Sequence, residues 1–356
     1  MSFDKKSVLV TGGTGSLGKV LVRRLLSGSQ GTPRKIIILS RDEAKQHEMR
    51  LSYLHKKHIT DEVIYKNFMN LLEFRIGDVR DYSDVCSAIR DVDIIINAAA
   101  LKQVPTCEYF PEQALLTNCI GAMNIVRAVA EPGNHVQTIV GISTDKACKP
   151  VNAMGITKSL QERIFISANV LNKKARFVCV RYGNVLASRG SVIPLFHDQI
   201  KNGGPVTITV NEMTRFLLSL EQAVDTVLSA IKEGKPGEIY SPTAPSATIL
   251  NIAKALIAKR DIPIQVTGIR PGEKLHEILV SEEEAHHCAR RGTYYVILPM
   301  LPELRNLNDT QETKVLDKEY SSGDKPIGLA ETIELLKLHH LMVEDDVNFE
   351  RDELLR

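Results

Sequence analysis

The stretch Val8-Leu9-Val10-Thr11-Gly12-Gly13-Thr14-Gly15-Ser16-Leu17-Gly18 lies near the start of the chain and decides the fold. Its apolar, β-branched beginning is typical of a buried strand, and three glycines follow at every third position. Gly12 allows a tight turn, Gly15 lets the backbone approach a diphosphate, and Gly18 lets the next helix pack closely on the sheet. Because N–H groups at a helix start face an anion, the stretch predicts a dinucleotide site in a Rossmann-like domain.

Short β-branched runs alternate with helical stretches through the first half of the chain, which is typical of an α/β fold. The continuous run Ile94-Ile95-Ile96 indicates a strand covered on both faces. We therefore predict a doubly wound parallel sheet, with strands at residues 7–11, 35–39, 74–76, 93–97, 138–143 and 177–181. The helical patterns between them include residues 19–27 and 118–130.

Glycine and proline punctuate the sequence irregularly after residue 181, which indicates a second, smaller unit. We expect a cofactor-binding domain at residues 1–185 and a mixed α/β substrate-binding domain at 186–345. A helical pattern predicts that a segment of about 219–240 returns to the first domain. The charged tail, 346–356, is expected to fray.

Composition excludes several classes of protein. The net charge of +2 over 356 residues is too small to favour nucleic acid or an anionic membrane. No apolar run approaches the length of a membrane span, and no signal peptide is evident, so we expect a cytoplasmic protein. The six cysteines are scattered and are expected to be reduced. His286-His287-Cys288 is interpreted as a solvated helix end, and no metal site is predicted.

The second predicted strand ends in Ser40-Arg41-Asp42, about twenty residues after the glycines. Arg41 suits the 2′-phosphate of NADP, whereas an acidic side chain there would suit the ribose of NAD. NADP is favoured, although the adjacent Asp42 keeps NAD open. The other positions predicted to line the cofactor are Thr14, Ser16, Leu17, Lys45, Asp78, Val79, Ala98, Ala99, Lys102, Asn118 and Lys158.

The fifth strand leads into Thr144-Asp145-Lys146, and Met154-Gly155-Ile156-Thr157-Lys158 follows. These segments resemble the extended short-chain dehydrogenases, and most closely the UDP-N-acetylglucosamine 4,6-dehydratases, whose strand ends in T-D-K. The resemblance extends over roughly residues 7 to 280, and the segment 51–72 is least covered by it. Its other motifs are N-A-A-A-L-K-Q-V-P at 97–105, R-Y-G-N-V at 181–185, S-R-G-S-V at 188–192, M-T-R-F at 213–216 and R-P-G-E-K-L-H-E at 270–277.

Met154 occupies the position of the tyrosine in the YxxxK motif of that family. A thioether has no proton to lose, so Met154 cannot act as the base that helps oxidise a sugar hydroxyl. A subgroup that inverts carbon 5, in pathways leading to N-acetyl-L-fucosamine, also carries N-A-M-G-x-x-K here. The resemblance therefore implies an inverting dehydratase that uses NADP and a UDP-N-acetylhexosamine for capsule or O-antigen synthesis.

The resemblance also implies roles for the catalytic residues. Lys146, with its pKa lowered by the cofactor site and by Lys158, is expected to remove the hydrogen at carbon 5. Asp145 is expected to protonate the departing carbon 6 hydroxyl, Thr144 to bind the carbon 4 hydroxyl, and Lys158 to hold the nicotinamide ribose. Two routes for the carbon 4 proton stay open: Lys146 through a water, or Thr144 relaying to Lys158. The expected substrate-binding residues are Lys102, Asn184, Val185, Ser188, Arg189, Arg215, Arg270 and Glu273.

Three other functions remain open at this stage. They are a configuration-retaining 4,6-dehydratase, a UDP-sugar 4-epimerase, and a catalytically silent NADP-binding protein, for which the missing tyrosine is the argument. Family resemblance also implies a homo-oligomer.

Overall fold

A large, mostly parallel sheet forms the centre of the computed structural model, which describes residues 3–54, 62–186, 191–305 and 315–345. The strands in chain order are β1 (Ser7–Thr11), β2 (Lys35–Ser40), β3 (Leu72–Ile76), β4 (Ile94–Asn97), β5 (Thr138–Ile142), β6 (Arg176–Val180), β7 (Val206–Ile208), β8 (Thr214–Phe216), β9 (Ile239–Pro242), β10 (Ser246–Thr248), β11 (Ile264–Val266), β12 (Ile278–Val280), β13 (Cys288–Arg291), β14 (Tyr294–Ile297), β15 (Tyr320–Ser321) and β16 (Pro326–Ile327).

Helices connect these strands. They are α1 (Ser16–Leu26), α2 (Glu43–Leu54), α3 (Glu62–Leu71), α4 (Tyr82–Ala88), α5 (Val104–Tyr109), α6 (Pro111–Ala114), α7 (Gly121–Ala130), α8 (Ala153–Leu171), α9 (Val192–Lys201), α10 (Leu220–Glu233), α11 (Ile249–Ile257), α12 (Glu282–Ala285) and α13 (Leu329–Leu338). Among the residues described, none of these helices combines the length and the apolar character that a bilayer crossing needs.

The main sheet has the strand order β13-β14-β9-β6-β5-β4-β1-β2-β3 within the described residues. Neighbouring strands from β3 to β9 are parallel, while β13 and β14 add an antiparallel edge. The order reverses between β1 and β4, which is where open α/β sheets bind nucleotides at the carboxyl ends of their strands. The predicted doubly wound, Rossmann-like sheet is confirmed.

Both faces of the sheet are buried because alternate side chains of each strand enter two separate cores. Val8 and Val10 pack on the face covered by α1, α3 and α10. Leu9 and Ile37 pack on the opposite face, with α4, α7 and α8. This two-sided burial explains why the strand sequences are continuously apolar.

A separate apolar core joins α9, α11 and α13, and the three-stranded sheet β16-β10-β8 lies in the same half of the chain. The chain nevertheless returns to the main sheet. Helix α10 begins after a capping box at Ser219 and packs against α1, and β9, β13 and β14 extend the main sheet. Residues from the second half therefore reach the carboxyl edge of the first.

The largest departure from the predicted elements lies in residues 118–130, where one helix was expected. Leu115–Ile120 instead forms a π-helical turn before α7 begins at Gly121. Asn118, in that turn, is fully buried and hydrogen-bonds the backbone of Leu101 and the Thr157 hydroxyl. The wider turn lets this side chain face its partners, and such turns recur at functional sites.

Candidate active site

The glycine-rich turn lies between β1 and α1. Gly12 has a φ of +66°, and a Cβ there would lie 2.8 Å from the backbone of Ala98. A Cβ on Gly18 would lie 2.5 Å from Gly13, so only glycine permits this contact between helix and turn. A Cβ on Gly15 would meet only the Gly12 carbonyl oxygen, at 3.4 Å. Gly15 is also the N-cap of α1 and provides no side-chain cap, which leaves the helix start open to an anion.

The end of β2 lies beside this turn, since Thr14 Oγ1 and Ser40 Oγ are 3.2 Å apart. Arg41 is about half exposed, and its Nη1 lies 3.6 Å from Asp78 Oδ2. Asp42 instead faces the first turn of α2, where it binds the backbone N–H and the ammonium group of Lys45. Asp42 is thus paired within its own loop, and Arg41 is the more available of the two charges.

The other residues expected at the cofactor differ in burial and in their contacts. Leu17 is partly buried and packs on the core around β1, and Val79 is buried on the other face of the sheet. Ala98 and Ala99 follow β4 directly, whereas Lys102 is exposed just before α5. The hydrogen bonds of Asn118 go to protein groups, so Asn118 shapes the loop at Leu101 rather than presenting its amide to a ligand.

The segment predicted to be catalytic contains a short 3₁₀ turn, Asp145–Ala147, just after the carboxyl end of β5. Thr144 Oγ1 donates to Asp145 Oδ1 at 2.9 Å, and Lys146 Nζ donates to the same oxygen at 3.1 Å. Asp145 is fully buried, and its other oxygen, Oδ2, has no hydrogen-bond partner among the described residues. A Cβ on Gly155 would lie 2.2 Å from the Lys146 carbonyl oxygen, so glycine there lets α8 pack directly against this turn.

Glu277 is the site residue that the sequence prediction missed. Its Oε1 lies 3.1 Å from Lys146 Nζ, the same distance at which Asp145 Oδ1 lies from that ammonium group. It is 2% exposed, and its Oε2 also has no hydrogen-bond partner within the described chain. The available signal was its place at the end of the R-P-G-E-K-L-H-E motif, although spacing alone does not bring residue 277 to residue 146.

The expectation of a lowered pKa for Lys146 is wrong in this structure. Burial works to lower the pKa of Lys146, but the charges of Asp145 and Glu277 outweigh it, and the pKa is raised. Lys158 does not lower the pKa of Lys146 as expected. Its Nζ instead donates to the Ile142 carbonyl (2.5 Å) and to Gln161 Oε1 (2.7 Å). Burial raises the pKa of Asp145, and the charge of Glu277 adds to that rise.

Lys158 and Met154 lie on the buried side of α8. Burial lowers the pKa of Lys158 to about 8. Met154 is 4% exposed and packs in a small apolar cluster with Cys107 and Ala114. The thioether therefore occupies an apolar niche at the position where the related motif has tyrosine.

An ion-pair network anchors the turn from beneath. Arg181, after β6, is 1% exposed and lies 2.7 Å from carboxylate oxygens of both Glu162 and Glu284. Ser143 donates to Glu162 Oε1 at 2.5 Å. This network joins β6, α8 and α12 beneath the Asp145 turn, and removal of one partner leaves a buried charge unpaired.

The residues predicted to bind the substrate differ from one another in burial and in their hydrogen-bond partners. Arg215 is buried, and its Nη1 donates to the carbonyl groups of Thr214, Lys274 and Leu275, so part of this guanidinium holds the 270–277 loop. Arg270 is exposed, and its backbone N–H donates to Glu273 Oε2 at 3.4 Å. The other expected positions are Asn184, whose buried Oδ1 has no partner in the described chain, Val185, which bridges to Leu218, and Ser188 and Arg189, which lie outside the described residues.

The six cysteines are free thiols, and five of them are buried. His286 caps the end of α12 while Cys288 enters β13 as a buried residue. In the described ranges no group of three His, Cys, Asp or Glu side chains is arranged to hold a metal ion.

Comparison with known proteins identifies the family of this chain. The polysaccharide biosynthesis protein family matches residues 8–299. The UDP-glucose 4-epimerase of Rickettsia typhi is 44% identical over 346 residues, covering 94% of this chain and 96% of the relative. The UDP-N-acetylglucosamine 4,6-dehydratase (inverting) of Campylobacter jejuni is 40% identical over 347 residues, covering 94% and 98%.

A solved structure is also similar over nearly the whole chain. The X-ray structure of Pen from Bacillus thuringiensis has a TM-score of 0.83 and 32% identity, covering 96% of this chain and 99% of that one. The resemblance to UDP-N-acetylglucosamine 4,6-dehydratases of the extended short-chain dehydrogenase type is confirmed at the level of the family. The chain belongs to the polysaccharide biosynthesis protein family.

Proposed function

We propose that this protein is an NADP-dependent UDP-N-acetylglucosamine 4,6-dehydratase that inverts carbon 5 and supplies a 4-keto-6-deoxy sugar for surface polysaccharide. The observation that carries the proposal is the buried cluster of Asp145, Lys146 and Glu277 at the carboxyl end of β5. Loss of water across carbons 5 and 6 needs an acid and a base side by side, and this cluster supplies both. Residues 1–185, with the segment of about 219–240, would hold the cofactor, and the rest of residues 186–345 would hold the UDP-sugar.

The glycine turn supports cofactor binding because it is a cradle that side chains would fill. The open N-terminus of α1 and the backbone at Gly15 would hold the diphosphate, and Arg41 would hold a 2′-phosphate. When bound, NADP supplies the hydride acceptor for carbon 4 and the hydride donor for carbon 6. Lys158, with an ammonium group whose pKa burial lowers to about 8, would hold the nicotinamide ribose.

The chain's own groups then move the protons. Once carbon 4 is a ketone, the hydrogen at carbon 5 is acidic. The ammonium of Lys146, which is partly exposed, first gives its proton to solvent water, and Nζ then takes the carbon 5 proton as the neutral amine. Asp145 gives a proton to the carbon 6 hydroxyl, which leaves as water. Return of a proton to carbon 5 from the opposite face inverts that centre. Because Thr144 Oγ1 donates to Asp145 and Lys158 Nζ binds Ile142 and Gln161, the route for the carbon 4 proton through Lys146 is favoured over a relay to Lys158.

A UDP-sugar 4-epimerase is the second candidate, because relatives such as the Rickettsia typhi protein carry that name at 44% identity. Epimerisation at carbon 4 needs the hydride transfer but neither an acid nor a base at carbons 5 and 6. The Asp145–Lys146–Glu277 cluster would then have no task in turnover, which is why dehydration is favoured. Retention at carbon 5 and a silent NADP-binding protein are further outcomes that one experiment separates.

That experiment incubates the purified protein with NADP and UDP-N-acetylglucosamine in deuterated water, with UDP-glucose in a parallel reaction. Proton NMR and mass spectrometry follow the sugar. Loss of one water, deuterium at carbon 5 and L-arabino coupling are the expected result. Retained D-xylo coupling would overturn inversion, and a product of unchanged mass with inverted carbon 4 would establish the epimerase. Bound NADP without turnover of either sugar would contradict both.

The cofactor preference is tested separately with Arg41→Ala. We expect this change to weaken NADP binding by about tenfold while NAD binding changes little, since the guanidinium would bind the 2′-phosphate, which NAD lacks. Equilibrium dialysis measures both affinities. Arg90→Ala, which removes an exposed arginine near the opposite, amino end of β4, is the matched control. Equal loss of NAD and NADP affinity would contradict the assignment of Arg41.

We further propose that the protein works in the cytoplasm as a homo-oligomer. Gel filtration with light scattering tests the assembly, and a monomer at working concentration would contradict it.

A further inference from the structure

Glu277 lies immediately before β12. Its backbone N–H donates to Ser322 Oγ at 2.9 Å, and its carbonyl accepts the Ser322 N–H at 2.8 Å. The side chain is 2% exposed. Its Oε1 lies 3.1 Å from Lys146 Nζ and 3.7 Å from Arg215 Nε. A buried carboxylate fixed at both backbone and side chain has little freedom to change its partner.

The charged groups around Glu277 are mostly cations. Lys146 faces it from the catalytic turn, Arg215 from β8 and Lys274 from its own loop. Burial works to raise the pKa of Glu277, but these three cations outweigh burial and lower it. Asp145 and Cys148 are the other titratable groups of that turn, and burial raises the pKa of both. The pKa values of the two carboxyl groups next to Lys146 are thus shifted in opposite directions, upward for Asp145 and downward for Glu277.

Geometry distinguishes the two carboxyl groups as well. Each carboxyl group has one oxygen without a hydrogen-bond partner in the described chain, Asp145 Oδ2 and Glu277 Oε2, and that oxygen can carry a proton. The two groups differ at the other oxygen, because Asp145 Oδ1 accepts the Thr144 hydroxyl and the Lys146 ammonium. Two cations approach Glu277 Oε1, and the carboxylate needs its charge to balance them. Pairs of carboxyl groups with such different surroundings divide into an acid and an ionised partner.

We propose that Glu277 is a positioning residue that holds Lys146 and keeps the proton on Asp145, so that Asp145 and not Glu277 is the acid that protonates the leaving hydroxyl. This inference rests on the proposed dehydration. The Asp145 O–H bond breaks as a new bond forms to the carbon 6 oxygen, water leaves with the electrons of the C–O bond, and Lys146 holds the proton from carbon 5. The negative charge of Glu277 acts on both partners without touching the substrate.

The test compares the pH profile of kcat for the wild type, Glu277→Gln and Glu277→Asp. Glu277 raises the pKa of both Asp145 and Lys146, so removal of its charge lowers both. We therefore expect both limbs of the profile of Glu277→Gln to move to lower pH by about one unit. Glu277→Asp keeps the charge, and its limbs should stay in place with part of the rate restored. A lower rate with unmoved limbs in Glu277→Gln would overturn the proposal.

Glu284→Gln is the matched control. Glu284 is also a buried, ion-paired glutamate, but its partner is Arg181 rather than Lys146. This variant should have a lower melting temperature and an unmoved pH profile. If its limbs move as those of Glu277→Gln do, the effect belongs to buried charge in general and the proposal is wrong.

A second measurement does not depend on turnover. In NADP-loaded protein with ¹³C-labelled aspartate carboxyl groups, Asp145→Asn identifies the Asp145 signal. We expect that signal at the protonated position near neutral pH in the wild type, and an ionised Asp145 there would overturn the inference even if Glu277→Gln does not fold. If the wild type does not dehydrate UDP-N-acetylglucosamine, the proposed function fails and the role of Asp145 as the acid fails with it, while this titration still decides whether Asp145 carries a proton beside Glu277.

Discussion

Two lysines at the same edge of the sheet differ in surroundings and therefore in acidity. Lys146 is flanked by Asp145 and Glu277, each 3.1 Å from its Nζ, and its pKa is raised. Lys158 donates to two uncharged oxygens, and burial lowers its pKa to about 8. Burial acts in the same direction on both ammonium groups. The charges of the neighbouring side chains, and not burial, decide which lysine stays protonated.

The comparison also gives the two regions different tasks. The turn at Lys146 places acid and base groups together at the proposed substrate position. The α8 region around Lys158 has a single ammonium and an apolar neighbour at Met154. Under the proposed function, the first region would carry the chemistry at carbons 5 and 6, and the second would support the cofactor.

The largest effect should come from Lys146→Ala. Loss of the base should lower kcat by about 1,000-fold and abolish deuterium entry at carbon 5, because general base catalysis contributes about 10²–10⁴-fold. NMR of the reaction in deuterated water measures both. Lys149→Ala is the control, since Lys149 is exposed and pairs only with Glu319 in the contacts observed. A Lys146→Ala enzyme with more than a tenth of wild-type kcat would remove the distinction between the two regions.

Lys158→Met tests the other side of the comparison through stability. Between pH 8 and 10.5 the unfolded chain keeps a proton that the folded chain has already released, so the folded state gains stability as pH rises through this window. The gain should reach about 3 kcal/mol in the wild type and be absent in the variant. Urea unfolding at a series of pH values gives both curves, and the difference between them isolates Lys158. Parallel curves would mean that the pKa of Lys158 is not lowered in the folded protein.

Met154→Leu should have the smallest effect. Leucine fills a similar volume in the cluster with Cys107 and Ala114, so the substitution should lower the free energy of unfolding by less than about 1.5 kcal/mol. Turnover should stay within about threefold, because an apolar side chain at this position has no proton to exchange. A larger loss of kcat at unchanged stability, measured by NMR and thermal unfolding, would give the thioether a direct part in the reaction and weaken the contrast.

Much of the fold could be predicted because its signals are local. The six strands expected from the first half are all present, and Ser219 begins α10 as its N-cap, as the helical pattern at 219–232 indicated. The π-helical turn at Leu115–Ile120 was missed because its cause is the burial of Asn118 against Leu101 and Thr157. Partners 17 and 39 residues away leave no trace in a local helical pattern.

The sequence by itself determined the Rossmann-like half, the glycine turn, the Thr144-Asp145-Lys146 segment and the family, because strand patterning, turn chemistry and motif order are properties of neighbouring residues. Only the tertiary structure placed Glu277 against Lys146, closed Arg215 over the 270–277 loop and reversed the expected pKa of Lys146. The pairing of Lys146 with Glu277 joins residues 131 positions apart, and Arg215 contacts carbonyl groups 59 and 60 positions away. The Coulomb energy between buried groups depends on their distance in space and on the surrounding dielectric, and neither quantity is written in local sequence.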